Sequence, residues 1–124
     1  MPRVVLCDAG SRENGDLYES LVGLGYELEN CHDGETLLEA VVARPPDVVV
    51  YALRAANESD LAVLQLLRRI LPDAPLIMLV RGGSLATRRE VQALRPMYYA
   101  VAPVEGAELR EAVLSALEHR RRPH

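Results

Sequence analysis

Lysine, tryptophan and phenylalanine are absent from this chain, and cysteine occurs only twice. Without Phe or Trp the aromatics reduce to five tyrosines, so any core must be filled by Val, Leu, Ile and Ala. Cys7 and Cys31 are too few for a disulfide framework and match no zinc-ligand spacing, which points to reduced thiols in a cytoplasmic protein. No apolar run reaches the length that spans a bilayer. The beginning, Met1-Pro2-Arg3 followed by Val4–Cys7, reads as a first strand rather than a signal peptide, so no membrane association is expected. Because lysine is missing, all fourteen basic residues are arginine, and they stand against eighteen acidic ones for a formal net charge of −4. That balance argues against nucleic-acid binding by this domain.

What remains is enough for one domain with one core. The 124 residues are 49% hydrophobic and 26% charged, an ordinary globular balance. Short β-branched runs alternate with helical patterns. Val4–Cys7, Tyr26–Cys31, Val48–Ala52, Leu76–Val80 and Tyr98–Val101 are the expected strands. Three of them (Val4–Cys7, Val48–Ala52, Leu76–Val80) are near-continuous apolar runs, as parallel strands covered on both faces require. Tyr26–Cys31 alternates and carries Glu27 and Glu29, which places it at a sheet edge. Apolar residues at helical spacing mark the connecting helices. They are Leu17, Leu21 and Leu24; Leu37, Leu38, Val41 and Val42; Leu61, Leu64, Leu67 and Leu71; Leu85, Val91 and Leu94; Leu109, Val113 and Leu117. Gly25 reads as the end of the first helix, and Pro45, Pro46, Pro72 and Pro75 punctuate the next two. The expected fold is therefore α/β, a doubly wound five-stranded parallel sheet with function at the carboxyl ends of its strands. The domain is expected over residues 1–119, with 120–124 as a basic tail or the start of a linker.

The pieces between these elements resemble the receiver domains of bacterial response regulators. Leu24-Gly25-Tyr26-Glu27 is similar to that family's approach to strand two, and Asp33-Gly34-Glu35 to its helix start. Arg44-Pro45-Pro46-Asp47 followed by Val48–Val50 is similar to the approach to strand three. Leu71-Pro72-Asp73-Ala74-Pro75-Leu76 resembles the approach to strand four, and Pro103 the proline after strand five. No single piece is specific; their order and spacing are, over residues 3 to about 119. The resemblance implies the flavodoxin-like receiver topology, strand order 2-1-3-4-5.

It also implies a chemistry, phosphoryl transfer to an aspartate supported by Mg²⁺. That chemistry needs a carboxylate after strand three and an acidic pair after strand one, since Mg²⁺ takes oxygen ligands in octahedral geometry. A Thr or Ser after strand four and a Lys after strand five complete it by donating to the phosphoryl oxygens. At the matching positions this chain has Asp8 and Ala9 for the acidic pair, Ala52 for the nucleophile, Val80 for the hydroxyl and Ala102 for the lysine. The loop from Leu53 to Asp60 also lacks the family's Met-Pro and following Gly. The expectation is a degenerate receiver, neither an enzyme nor a holder of metal or cofactor. Tyr51 should point away from the pocket into a helix layer, with its hydroxyl satisfied. Arg54 and Arg81 flank the site and could hold an anion, although solvent-facing loop arginines are the plainer expectation.

The resemblance further assigns Tyr99 as the strand-five switch aromatic, with a single rotamer expected beside Val80. It makes a cis Ala102-Pro103 bond the expected form. The usual partner face of the family, helix four through helix five, here carries Arg88, Arg89 and Arg95 on one side and Glu108, Glu111 and Glu118 on the other, with Tyr98 between. Such charges suit a signalling partner or a two-fold homodimer, while the bland alternative is a solvated face whose ion pairs contribute about 0–1 kcal/mol each. Cys7-Asp8 and Cys31-His32-Asp33 end neighbouring strands, so a metal or redox site has to be weighed against a small buried thiol and a helix start. The second reading is preferred, because no ligand spacing supports the first. Arg12-Glu13-Asn14-Gly15-Asp16 replaces an apolar first turn, so helix one is expected to start late. Two functions stay open: phosphorylation-independent protein–protein interaction, or sensing of a small molecule or anion in the pocket of Asp8, Ala52, Val80 and Ala102.

Overall fold

The near-continuous apolar runs become the three inner strands of a parallel sheet. A computed structural model describes residues 1–8, 15–53, 58–80, 85–101 and 104–121. The strands are β1 (Arg3–Asp8), β2 (Glu27–Cys31), β3 (Val48–Leu53), β4 (Leu76–Val80) and β5 (Tyr98–Val101). Between and after them lie α1 (Gly15–Leu21), α2 (Gly34–Ala43), α3 (Glu58–Ile70), α4 (Leu85–Gln92) and α5 (Gly106–Arg121). Every strand pair is parallel and the order is β2-β1-β3-β4-β5, the flavodoxin-like arrangement the resemblance implies. The alternating strand β2 is at one edge.

Strand alternation divides the core into two layers. Val4, Leu6, Val50, Ala52 and Leu79 pack with Leu17 and Leu21 of α1 and with Leu109 and Val113 of α5. Val5, Cys7, Tyr51, Leu53, Met78 and Val80 pack with Leu37 of α2, Leu64 of α3 and Val91 of α4. Each fully buried Val or Leu contributes about 1.5–3 kcal/mol, so aliphatic packing on both faces supplies what the missing Phe and Trp do not.

Helix boundaries follow local backbone chemistry. The first helix starts at Gly15, late as expected, but it stops at Leu21 rather than running to Gly25. Gly23 and Gly25 both take positive φ, 80° and 85°, and this left-handed geometry ends the helix early. Leu24 thus packs from a turn instead of a helix. Similarly, α4 ends at Gln92, and Leu94 is buried just beyond it. At the other end of the chain α5 continues through Arg121.

Two arginines fasten the frame. Arg3 is buried at the start of β1, where its guanidinium meets Glu29 of β2 at 2.7 Å and the carbonyl of Arg44, while its backbone N–H donates to Asp47 at 2.8 Å. Arg68 of α3 spends its whole guanidinium on carbonyls. Its Nε donates to Leu94 at 2.8 Å, Nη1 to Leu71 and Ala74 at 3.1 and 2.7 Å, and Nη2 to Arg95 at 3.0 Å. Arg95 itself sits at φ 56°, a left-handed position uncommon for a non-glycine residue. Arg68 therefore ties the end of α4 to the turn before β4. Arg68→Leu should lower stability by about 2–3 kcal/mol in urea unfolding, because charge-assisted bonds to several carbonyls are lost together. The exposed neighbour serves as control, and Arg69→Leu should stay within about 0.5 kcal/mol.

Candidate functional site

The carboxyl ends of β1, β3 and β4 bring most of the expected pocket together. Asp8 and Ala52 are register partners on adjacent strands, and Ala52 is in turn paired with Leu79. Val80 lies one residue further along, paired with Leu53 and with Val101 of β5. Asp8, Ala52, Leu53 and Val80 are exposed to only 8, 2, 2 and 1%. By alternation Ala52 faces the α1/α5 layer, while Leu53 and Val80 belong to the opposite one. Ala9, Ala102, Pro103, Arg54 and Arg81 lie outside the described residues.

The donor chemistry of these strand ends does not suit Mg²⁺. Among the described pocket residues the only side-chain oxygens are those of Asp8; Ala52 and Val80 offer methyl groups to an ion that seeks oxygen in octahedral geometry. Among the described residues no group of three or more His, Cys, Asp or Glu side chains is placed to hold a metal ion.

Tyr51 lies fully buried in the α2/α3/α4 layer, and its hydroxyl donates to Asp60 of α3 at 2.9 Å. It is a packed aromatic with a satisfied hydroxyl, as expected from alternation. Cys7 and Cys31 are register partners across β1 and β2, both buried. Burial pushes the Cys7 thiol up to about 12, reinforced by Cys31 and nearby carboxylates, and the Cys31 thiol up to about 11. Asp33 caps α2 by accepting the Thr36 N–H at 2.7 Å, and these bonds from Thr36 hold its carboxyl below the ordinary range. The strand-end cysteines are thus core side chains, and Asp33 begins a helix.

On the sheet's other edge, β5 is half-buried at Tyr98, Tyr99 and Ala100, and Val101 is exposed. Tyr99 packs against the layer that contains Val80, with the Arg88 guanidinium 6.0 Å from its ring centroid, the outer limit of a cation–π contact. Tyr98 packs toward α5 and donates to Glu108. Arg88, Arg89, Arg95, Glu108, Glu111 and Glu118 are all exposed. The expected arginine and glutamate flanks therefore exist, with the two tyrosines committed to opposite layers between them.

No family model matches the chain. Individual proteins do. It is 28% identical over 102 residues to the luminescence regulatory protein LuxO of Vibrio campbellii, covering 82% of this chain and 22% of that protein. It is 26% identical over 101 residues to the transcriptional regulatory protein ZraR of Salmonella typhimurium, covering 82% and 23%. The CheY-like response regulator receiver domain of Methanospirillum hungatei superposes with a TM-score of 0.85 at 17% identity, covering 97% of this chain and 96% of that one. In sequence and in fold the chain is similar to response-regulator receiver domains. A receiver domain from Clostridium thermocellum superposes almost as well, with a TM-score of 0.82 at 19% identity over 98% of both chains. The chain spans less than a quarter of the length of the curated relatives it matches.

Two features of this domain escaped sequence reasoning. The Tyr51–Asp60 bond joins a strand to a helix, and Arg68 reaches four carbonyls in the segments after α3 and after α4; both depend on tertiary placement, with no local pattern to announce them. The thiols give the site's prediction. A disulfide reagent at pH 8 should modify Cys7 and Cys31 far more slowly than a free thiol, with urea restoring rapid reaction. Since both pKa values lie above the ordinary 9.0, the stability they contribute is complete below about pH 9 and is lost as pH rises toward 11–12. Cys7→Ala should make that alkaline decline shallower in urea unfolding measured between pH 8 and 11.

Proposed function

We propose that this receiver domain works without aspartyl phosphorylation and acts through protein–protein contact in bacterial signalling. The observation that carries this reading is Ala52. At the position where the family holds its nucleophile there is a buried methyl group, register-paired with the one carboxylate of the site, Asp8. A methyl group has no lone pair with which to attack phosphorus. The other matched positions fail in the same direction, since Val80 donates no hydrogen bond and Ala102 carries no charge. Four coordinated losses in a frame that keeps its sheet order support a fold retained for its surfaces. The domain is accordingly read as no enzyme, with no cofactor.

The surface favoured for contact is that of α4, β5 and α5. Exposed Arg88, Arg89 and Arg95 on one flank, Glu108 and Glu111 on the other, and exposed Val101 on the strand between give both charge patterning and apolar area. Its occupant is a signalling protein in the cytoplasm or a second copy arranged about a two-fold axis. The acidic net charge of −4 supports protein rather than nucleic acid as the partner. Sensing of a small molecule or anion between Asp8, Ala52, Val80 and Ala102 draws less support, because Asp8, Ala52 and Val80 are buried.

Incubation with acetyl phosphate and Mg²⁺, followed by intact-protein mass spectrometry, tests the reading. No phosphoryl adduct should form, and an Mg²⁺-dependent, acid-stable and base-labile adduct would contradict it.

A further inference from the structure

The face formed by α2 and α3 carries a second surface, on the opposite side of α3 from the Arg68 latch. Gly34, Leu38 and Val42 follow one another at four-residue spacing along one flank of α2. Val63, Leu66 and Ile70 do the same at spacings of three and four along the facing flank of α3. The flanks meet at Gly34, where an added Cβ would fall 2.5 Å from Cγ2 of Val63, so glycine is what lets the helices approach there. Val42, Leu66 and Ile70 are exposed to 64, 46 and 40%. An amphipathic helix ordinarily hides such residues, and here two adjacent helices turn theirs outward into one stripe.

At the strand-end mouth of this stripe lies a groove of about 620 Å³, with Leu38 and Val63 in its walls. Its remaining lining is Asp33, Gly34, Glu35, Glu39 and Asp60: four carboxylates and no basic side chain. Hydrocarbon continuing into a carboxylate-lined groove is complementary to a segment with aliphatic residues on one face and arginine or lysine at one end. Two neighbouring helices running the same way offer a valley that a third helix fills.

We propose that the α2–α3 face docks a basic amphipathic helix of a partner protein, its aliphatic face on Val42, Leu66 and Ile70 and its cationic end in the groove of Glu35, Glu39 and Asp60. The proposal is independent of whether the domain is phosphorylated. It adds a second contact surface, distinct from that of α4, β5 and α5.

A fluorescein-labelled model helix with leucines on one face and arginines at one end serves as probe, and its twin carries glutamate in place of arginine. Anisotropy should show saturable binding of the basic helix that is at least tenfold tighter than that of its twin and weakens with added salt. In ¹⁵N-edited spectra the shifts should cluster on α2 and α3. Leu66→Ser and Glu39→Lys should each weaken binding at least fivefold, while Glu111→Lys on α5 should leave it within twofold. Equal binding of the two helices, shifts centred on α4–β5–α5, or indifference to Leu66→Ser would overturn the proposal. So would sedimentation showing self-association that Leu66→Ser abolishes, since the stripe would then be covered by a second copy. Both variants are checked by circular dichroism, and chemical shifts away from the substitution confirm that the fold is kept.

Discussion

Everything in this domain hangs on burial that continues to the last residue of the three inner strands. β1, β3 and β4 are buried along their full described lengths. The parallel arrangement demands that burial, because helices cover both faces and leave no solvated side on which polar residues can alternate. In a phosphate-handling receiver the strand ends are where hydrocarbon must give way to carboxylate, hydroxyl and ammonium. Among the described residues only Asp8 breaks the run at those ends. The core has in effect been extended by one layer into the place where chemistry would sit.

That extension has consequences for coupling across the sheet. Tyr51 and Ala52 are consecutive, so strand alternation sends one into the α2/α3/α4 layer and the other into the α1/α5 layer. Ala52 leaves no polar anchor in its layer, while Tyr51 gains one by reaching Asp60 on α3. At the far edge, Val80 and Tyr99 meet in the same layer without a hydroxyl on the valine. A switch that moves an aromatic by forming and breaking a hydrogen bond needs that hydroxyl. Hydrocarbon stands in its place, and Tyr99 packs in that layer with the Arg88 guanidinium 6.0 Å from its ring centroid.

Much of this was legible from the amino-acid order, for a definable reason. The strands Leu76–Val80 and Tyr98–Val101 were read to the residue, because apolar runs between proline, glycine and acidic punctuation leave little freedom. Helix ends were less legible: Gly23, not Gly25, ends α1, and only the positive φ reveals it. The substituted site was readable because each missing group is a residue type, and residue types survive without coordinates. What sequence could not show were contacts made at a distance. No local pattern sets Arg68 apart, yet half-burial and four carbonyl partners make it a tertiary latch. The α2–α3 groove likewise arises only when Gly34 meets Val63.

The central claim is that the strand ends of this receiver domain no longer respond to phosphoryl chemistry. Its most direct measurement is an NMR titration of the ¹⁵N-labelled domain with Mg²⁺ and beryllofluoride, a stable mimic of the acyl phosphate. The account predicts that the amides of Asp8, Ala52, Val80 and Tyr99 stay where they are at saturating concentrations. Saturable, Mg²⁺-dependent shifts that begin at Asp8 and Ala52 and reach Tyr99 would contradict it.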